Sequence, residues 1–167
     1  MSRILDVYET VVGPSYRLFG LVDTAVDPCA PDASDSRWLL SSPGVVYMQV
    51  PPQVVTAAVR LESWSTLPPQ RGGQWFGREE VEVELPGGDL GMATIDGGRT
   101  DIPLILPSPG LYRMRWQWRF NGARGPFVSP LSWRTLDVPP ESEAECEGND
   151  QYCLVQIWRI ATARAAG

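Results

Sequence analysis

Two stretches of the chain alternate between apolar and polar residues, and this period limits the possible folds more than any other feature of the sequence. In residues 78–85, valine and leucine alternate with glutamate. In residues 111–120, aromatic residues and a methionine alternate with arginine and glutamine. Side chains of a β-strand point alternately to its two faces, so this period predicts strands with one buried and one exposed face.

Shorter segments of similar composition extend this pattern along the chain. Sixteen Gly and sixteen Pro occur in the sequence, and both residues interrupt helices and mark turns between short strands. One turn of helix is predicted at 37–41. About eight or nine strands are predicted in all, a series typical of an all-β antiparallel sandwich of two sheets or of a barrel. The further predicted strands are 5–12, 16–22, 45–50, 54–64, 90–95, 102–106 and 152–160.

The length of 167 residues fits one domain, 1–167, because a chain of roughly 150 residues buries about 68–70% of its surface on folding. Within it, 121–150 is predicted to be a long loop insertion and 161–167 a frayed tail.

Residues 1–20 lack a signal-peptide pattern, and no apolar run approaches about 18 residues, the length of a membrane-spanning helix. We therefore expect a cytoplasmic protein.

The types of basic residue exclude several catalytic mechanisms. All 14 are arginine, so the chain has no lysine, and it has no histidine either. No Ser–His or Cys–His nucleophile, lysine Schiff base or histidine-containing zinc site can form. An enzyme built on this sequence would depend on carboxylates and tyrosines, and neither a paired-carboxylate signature nor a phosphate-binding glycine loop is visible. We predict no catalytic residue, no metal site and no cofactor, while carboxylate or tyrosine chemistry stays open.

The chain has three cysteines, whose oxidation state depends on the cellular compartment: Cys29, Cys146 and Cys153. Cys146 and Cys153 could close a small loop in an oxidising compartment, which would leave one thiol over. In the cytosol, buried free thiols are expected instead, and we favour this interpretation.

The aromatic face of 111–120 carries two of the seven tryptophans, Trp116 and Trp118. Such a surface is expected to pack in the core of the sandwich. Alternatively, it lines an apolar pocket for a small molecule.

The opposite face of the same strand carries Arg113, Arg115 and Arg119. Like charges along one face repel each other unless carboxylates lie across from them, and the glutamates of 78–85 are natural partners. A cross-strand ladder is one interpretation. The other is an anion- or carboxylate-binding face, because a guanidinium group can bind a carboxylate through two hydrogen bonds.

The loop 67–77 combines Arg71, Trp75 and Phe76 with two prolines and three glycines. It is predicted either to form an exposed recognition tip or to fold back and cover the core. Trp133, outside the predicted strands, is a further candidate interface anchor.

The net charge of −6 argues against non-specific binding to nucleic acid or to anionic membranes. It suits solubility, or docking to a basic protein partner. The acidic cluster within 141–150 lacks the ligand spacing of a calcium loop, and is either a solvated segment or an acidic arm. We expect a protein partner, and neither a nucleic-acid nor a membrane partner; the oligomeric state is open.

Seven short segments with strand or turn patterns follow one another along the chain: 16–19, 41–46, 54–63, 79–85, 102–106, 109–114 and 153–160. Their order resembles a family of small bacterial β-sandwich proteins related to competence protein J, an inhibitor of a DNA-entry nuclease. Near 30–40, relatives carry a Trp-Thr-Asp/Glu helix start, of which only Trp38 remains here, and 121–150 is longer. The resemblance implies a sandwich fold and an inhibitor-like or immunity-like binding role.

The first functional hypothesis is a non-catalytic protein-binding module that inhibits, or gives immunity to, a nuclease or toxin. The alternative is a small-molecule pocket protein or a carboxylate- or tyrosine-assisted enzyme of specialised metabolism, with a deep pocket lined by Trp116 or Trp118. A third is a self-associating sandwich with an apolar patch placed for symmetric pairing.

Overall fold

The computed structural model describes residues 1–27, 37–138 and 146–161. Within these residues the chain forms ten strands and one turn of 3₁₀ helix, and no helix there is long and apolar enough to cross a membrane. The strands are β1 (Ile4–Val12), β2 (Leu18–Asp23), β3 (Leu39–Ser42), β4 (Val45–Gln49), β5 (Ala57–Trp64), β6 (Gly77–Leu85), β7 (Leu90–Thr94), β8 (Gly98–Asp101), β9 (Gly110–Phe120) and β10 (Gln151–Ala161), and the helical turn is Gly122–Arg124.

The strands form two sheets of five. Sheet A has the order β1-β5-β10-β9-β6, and sheet B has the order β3-β4-β2-β7-β8. Neighbouring strands are antiparallel except β5 and β10, which are parallel. The all-β sandwich prediction is confirmed, with two separate sheets in place of a closed barrel.

The aromatic face of β9 lies in the core between the two sheets. Trp116 and Trp118 are fully buried. Trp116 packs on Phe19 of β2 with ring centroids 5.9 Å apart, and Trp118 packs on Trp38 at 5.5 Å. The core interpretation of this face is therefore correct.

The turn of helix predicted at 37–41 is wrong, because Leu39–Ser42 forms β3 and pairs with β4. The N–H groups of Trp38 and Leu39 donate to the Glu79 carboxylate of β6, at 3.0 and 3.1 Å. Leu39 and Leu40 are buried by this arrangement. Tertiary contacts decide the conformation of a segment too short to show a period of its own.

The strand predicted at 102–106 is also wrong, since β8 lies just before it and 102–106 runs as an irregular segment. Ile102 and Leu104 are buried, which accounts for the alternation in the sequence. Pro103 has no N–H to donate to a ladder. The N–H of Ile105 donates instead to the Asp6 Oδ2 atom of β1, at 2.8 Å.

The connection from β5 to β6 must cross the outer face of sheet A. β10 is parallel to β5, β9 is antiparallel to β10, and β6 is antiparallel to β9, so β6 runs in the same direction as β5. Parallel strands need a connection that returns along the length of the sheet. Residues 65–76, here named the crossover, therefore pass over β10 and β9.

Several sequence features lie partly or wholly outside the described residues. These are Cys29, the acidic residues at 141, 143 and 145, and the predicted tail from 162 onward. Cys146 and Cys153 are buried free thiols, and burial raises the pKa of Cys153.

Candidate docking surface

The crossover folds back onto sheet A. The Trp75 ring stacks on Tyr152 with centroids 6.1 Å apart, and the Arg119 guanidinium lies 3.9 Å from its centroid. Phe76 packs edge-on against Phe120 at 5.1 Å and joins the core. Of the two interpretations of loop 67–77, the structure shows the folded-back one. A binding role for Arg71, Trp75 and Phe76 stays a prediction.

A buried carboxylate fastens the crossover to the sheet. Glu62 of β5 is fully buried and accepts hydrogen bonds from Arg60 Nε (2.8 Å), Arg71 Nη2 (2.7 Å), Trp64 Nε1 (3.0 Å) and Gln156 Nε2 (3.2 Å). Burial acts to raise the pKa of Glu62, but these hydrogen bonds and the Arg71 charge outweigh it, so the pKa lies below its ordinary value. Glu62 therefore stays ionised and holds Arg71 in place.

The arginines of β9 meet the glutamates of β6 across the strand pair. Glu80 lies opposite Arg115, and Glu82 lies opposite Arg113. Arg115 Nε donates to Glu80 Oε1 at 3.0 Å, and Arg113 forms an ion pair with Glu82. These contacts form the expected cross-strand ladder for two of the three arginines. Binding of an anion by this face stays a prediction.

Three loops meet at one end of the sandwich: 13–17, 50–56 and 127–135. The N–H of Val50 donates to the Arg17 carbonyl at 2.9 Å. The N–H of Val128 donates to Gln53 Oε1 at 3.0 Å. Each of the three loops is thus joined to another, 13–17 to 50–56 by a backbone–backbone hydrogen bond and 50–56 to 127–135 by a hydrogen bond from backbone to side chain.

This end carries large exposed side chains that together form what we name the tip surface: Tyr16, Arg17, Val55 and Trp133. Tyr16 is 74% exposed, Val55 71% and Trp133 59%. The Arg17 guanidinium lies over the Trp133 ring, 4.5 Å from its centroid. Exposed aromatic and arginine side chains dominate the binding energy of many protein interfaces.

The backbone of the tip surface is strained. Among the described non-glycine residues, four have positive φ, and three of them are Tyr16 (51°), Arg17 (62°) and Trp133 (61°). This left-handed conformation costs a non-glycine residue roughly 1–3 kcal/mol, persists only where surrounding structure enforces it, and is concentrated at binding and catalytic sites. The strain therefore favours a functional role for the tip surface.

Asp150 supports the loop 50–56. Its Oδ2 atom accepts from the N–H groups of Val55 (2.8 Å) and Thr56 (3.1 Å), and its Oδ1 atom accepts from Arg124 Nη1 (3.3 Å). The carboxylate thus fixes the backbone that presents Val55.

Replacing Asp150 by alanine is expected to lower the free energy of unfolding by about 1–3 kcal/mol, because two backbone donors lose their acceptor. Urea denaturation measures this change. The control is Asp137→Ala, an exposed aspartate of the neighbouring loop, which should change stability by less than about 0.5 kcal/mol. Equal effects of the two substitutions would contradict the supporting role.

Sequence reasoning found only one member of the tip surface, Trp133. The predicted strand 16–22 begins only at Leu18 in the structure, because Tyr16 and Arg17 form a turn, and neither is a residue type that marks a left-handed conformation. The predicted strand 54–64 likewise begins only at Ala57, which leaves Val55 in a loop. The one sequence signal at this turn is an aromatic residue, Tyr16, two positions after the turn-forming pair Gly13-Pro14.

The two sheets also leave a cleft of about 300 Å³ between β1 and the β7–β8 pair. Neither Trp116 nor Trp118 contributes to it, so this cleft is not the pocket proposed for the aromatic face. Its lining residues are Tyr8, Thr10, Val11, Val12, Gly13, Met92, Thr94, Gly97, Gly98, Thr100, Asp101 and Ile102.

Comparison with known proteins gives a fold and no sequence family. No protein-family model matches the chain, and no curated protein sequence matches it. The structure is similar to the crystal structure of ComJ from Bacillus subtilis, an inhibitor of the DNA-degrading activity of NucA. The TM-score is 0.62 and the identity 13%, over 96% of this chain and 99% of ComJ.

A second solved structure, described as Crocagin biosynthetic gene J, has a TM-score of 0.53 and 17% identity, over 92% of this chain and 97% of that one. The chain therefore has a ComJ-like fold. The resemblance drawn from the sequence is confirmed at the level of the fold.

Proposed function

We propose that this chain is a non-catalytic protein-binding module that inhibits a nuclease or toxin, and that it contacts its partner through the tip surface. The observation that carries this proposal is the pair of exposed aromatic side chains on left-handed backbone, Tyr16 and Trp133, with the Arg17 guanidinium stacked on the Trp133 ring. The fold shared with ComJ, an inhibitor of NucA, supports an inhibitor-like role.

The tip surface suits binding because its shape is set before the partner arrives. The loops are joined by the hydrogen bonds from Val50 to Arg17 and from Val128 to Gln53, and Asp150 holds the loop 50–56, so little conformational entropy is lost when this surface becomes buried. Tryptophan, tyrosine and arginine are the residue types most often found at the energetic centre of an interface.

The net charge of −6 supports a basic partner. Long-range attraction would raise the association rate, while the aromatic contacts at the tip would slow dissociation. We place this encounter in the cytoplasm, where the buried thiols of Cys146 and Cys153 would stay reduced.

Trp133→Ala is expected to weaken partner binding by about 30-fold or more, the loss typical of an interface hot spot. Wild-type and variant proteins serve as bait in a lysate of the source organism, and mass spectrometry identifies what each retains. The matched control is Leu67→Ala on the crossover, because Leu67 and Trp133 are both 59% exposed. The DNA-degrading activity of the captured protein is then measured with increasing amounts of each bait.

A basic protein retained by wild type and Leu67→Ala, lost by Trp133→Ala, and inhibited by wild type would support the proposal. Retention by Trp133→Ala equal to that by wild type would overturn the role of the tip surface. A captured partner whose activity is unchanged by the wild-type protein would overturn inhibition.

The cleft between β1 and β7–β8 favours a second candidate function, a small-molecule pocket protein. Its volume of about 300 Å³ lies at the lower end of ligand pockets. The similarity to a protein of crocagin biosynthesis supports this candidate. A carboxylate- or tyrosine-assisted enzyme is one form of it. Native mass spectrometry of the purified protein tests it, since a bound metabolite would add a discrete mass.

A further inference from the structure

One side of the sandwich is closed and the other is open. On the closed side, Glu79 of β6 accepts hydrogen bonds from Trp38 and Leu39, which joins the edge of sheet A to the edge of sheet B. On the open side, β1 is the edge strand of sheet A and β8 the edge strand of sheet B. The cleft lies between these two edges.

Part of the β1 backbone faces away from sheet A. The N–H of Val7 donates to the Asp6 Oδ1 atom at 2.9 Å, so it points away from β5. Backbone groups of an antiparallel strand alternate between its two sides. Glu9 and Val11 therefore also present their N–H and C=O groups at the free edge.

The free edge of β1 is protected from pairing with another strand at one end only. Asp6 binds the N–H of Ile105, which covers that end of β1, and the register shift in β1 lies between Ile4 and Asp6. Residues 8–12 contain no proline and no register shift, two devices that protect an exposed edge from pairing with another chain, and their one charged residue, Glu9, is paired with Arg60 of β5. Val11 is 56% exposed. This stretch is therefore open to an added strand.

A strand added beside 8–12 would lie across the mouth of the cleft. Tyr8 and Thr10 line the cleft from β1, and Thr94 and Thr100 line it from β7 and β8. Side chains of an added strand alternate in direction, so every second one would point between the two sheets. In strand addition, backbone hydrogen bonds supply affinity and such pockets supply specificity.

The negative charge at the cleft determines which type of side chain from an added strand it would bind. Asp101 carries the one charge among the described residues that line it. Asp101 forms no ion pair with any residue in the described part of the chain. The long stem of an arginine or lysine could pass the apolar lining while its head group reaches Asp101 at the rim.

We propose that 8–12 and the adjoining cleft bind an extended segment of a partner protein as a sixth strand of sheet A, with an arginine or lysine side chain in the cleft. This inference rests on the proposed function in taking the partner to be a protein, but it concerns a different surface. The two are adjacent: Gly13 lines the cleft and begins the turn that carries Tyr16.

A displayed library of linear ten-residue peptides, selected on the immobilised wild-type protein, tests this proposal. Enriched peptides are expected to alternate β-branched or aromatic residues with polar ones and to share one arginine or lysine. Val11→Pro removes the edge N–H where a strand tolerates proline, and should weaken binding of an enriched peptide at least tenfold. Val11→Thr keeps the N–H and is its control.

Asp101→Asn should weaken the same peptide several-fold and abolish the preference for arginine or lysine over glutamine at the shared position. Lack of enrichment, or equal affinity for wild type and Val11→Pro, would overturn the inference. Circular dichroism of each variant establishes that it is folded. Loss of the lysate partner by Trp133→Ala but not by Val11→Pro would overturn the added strand and leave the proposed function standing.

Discussion

Replacing Trp116 by alanine is expected to lower the free energy of unfolding by about 3–5 kcal/mol, the usual cost of deleting a buried tryptophan. Trp116 is 0% exposed in the middle of β9 and packs on Phe19 of the facing sheet. Truncation would leave a cavity between two sheets whose backbones are held by their ladders and cannot collapse freely. Urea denaturation, analysed at constant slope, measures the change.

The same substitution at Trp133 is the control, because that ring is largely exposed and its loss should change stability by less than about 0.5 kcal/mol. Trp116→Phe is a second control, since it keeps an aromatic ring and removes an indole N–H for which no described residue serves as acceptor. It should cost clearly less than alanine. A near-neutral Trp116→Ala would show that the aromatic face lines an open pocket.

Glu62→Gln is expected to lower the free energy of unfolding by about 3 kcal/mol at neutral pH. Removing one member of a buried ion pair typically costs 3–5 kcal/mol. The lower end is expected because Arg60 and Arg71 both reach solvent. The control is Glu9→Gln, which breaks a surface contact to Arg60 and should cost at most about 1 kcal/mol.

The pH dependence of the stability difference between wild type and Glu62→Gln shows whether the charge of Glu62 causes it. The pKa of Glu62 in the folded chain lies below the ordinary 4.5, so its ionised form stabilises the fold fully above that pH. The contribution is lost as the pH falls through the folded pKa. The stability gap between wild type and Glu62→Gln should therefore be constant from pH 6 to 8 and shrink below about pH 4.5. A gap independent of pH would assign the effect to packing.

The parts of the structure predicted correctly are those encoded by a local period. Alternation in β6 and β9 identifies the strands, their buried faces and the glutamates that pair with Arg113 and Arg115. These inferences need only the rule that side chains alternate along a strand. The same rule misplaced a strand at 102–106, where alternate burial occurs without pairing.

The parts that could not be predicted depend on strand order. Glu62 occupies a polar position of β5 and reads as a solvated residue until the crossover is known to cover it. The crossover follows this path because β10 lies between β5 and β9, and no local pattern encodes that placement. Likewise, Tyr16 and Trp133 are brought to one end by two loops from distant parts of the sequence.

The central position of β10 has a consequence for synthesis on the ribosome. β5 and β9 are the neighbours of β10 in sheet A, yet both precede it in sequence by long intervals. A nascent chain therefore exposes two unpaired strand edges until Gln151–Ala161 leaves the exit tunnel, and closure then occurs in one late step. Translation that stalls before this strand would release a chain with two unpaired strand edges that are prone to aggregation. Such a chain is a substrate for chaperones and proteases.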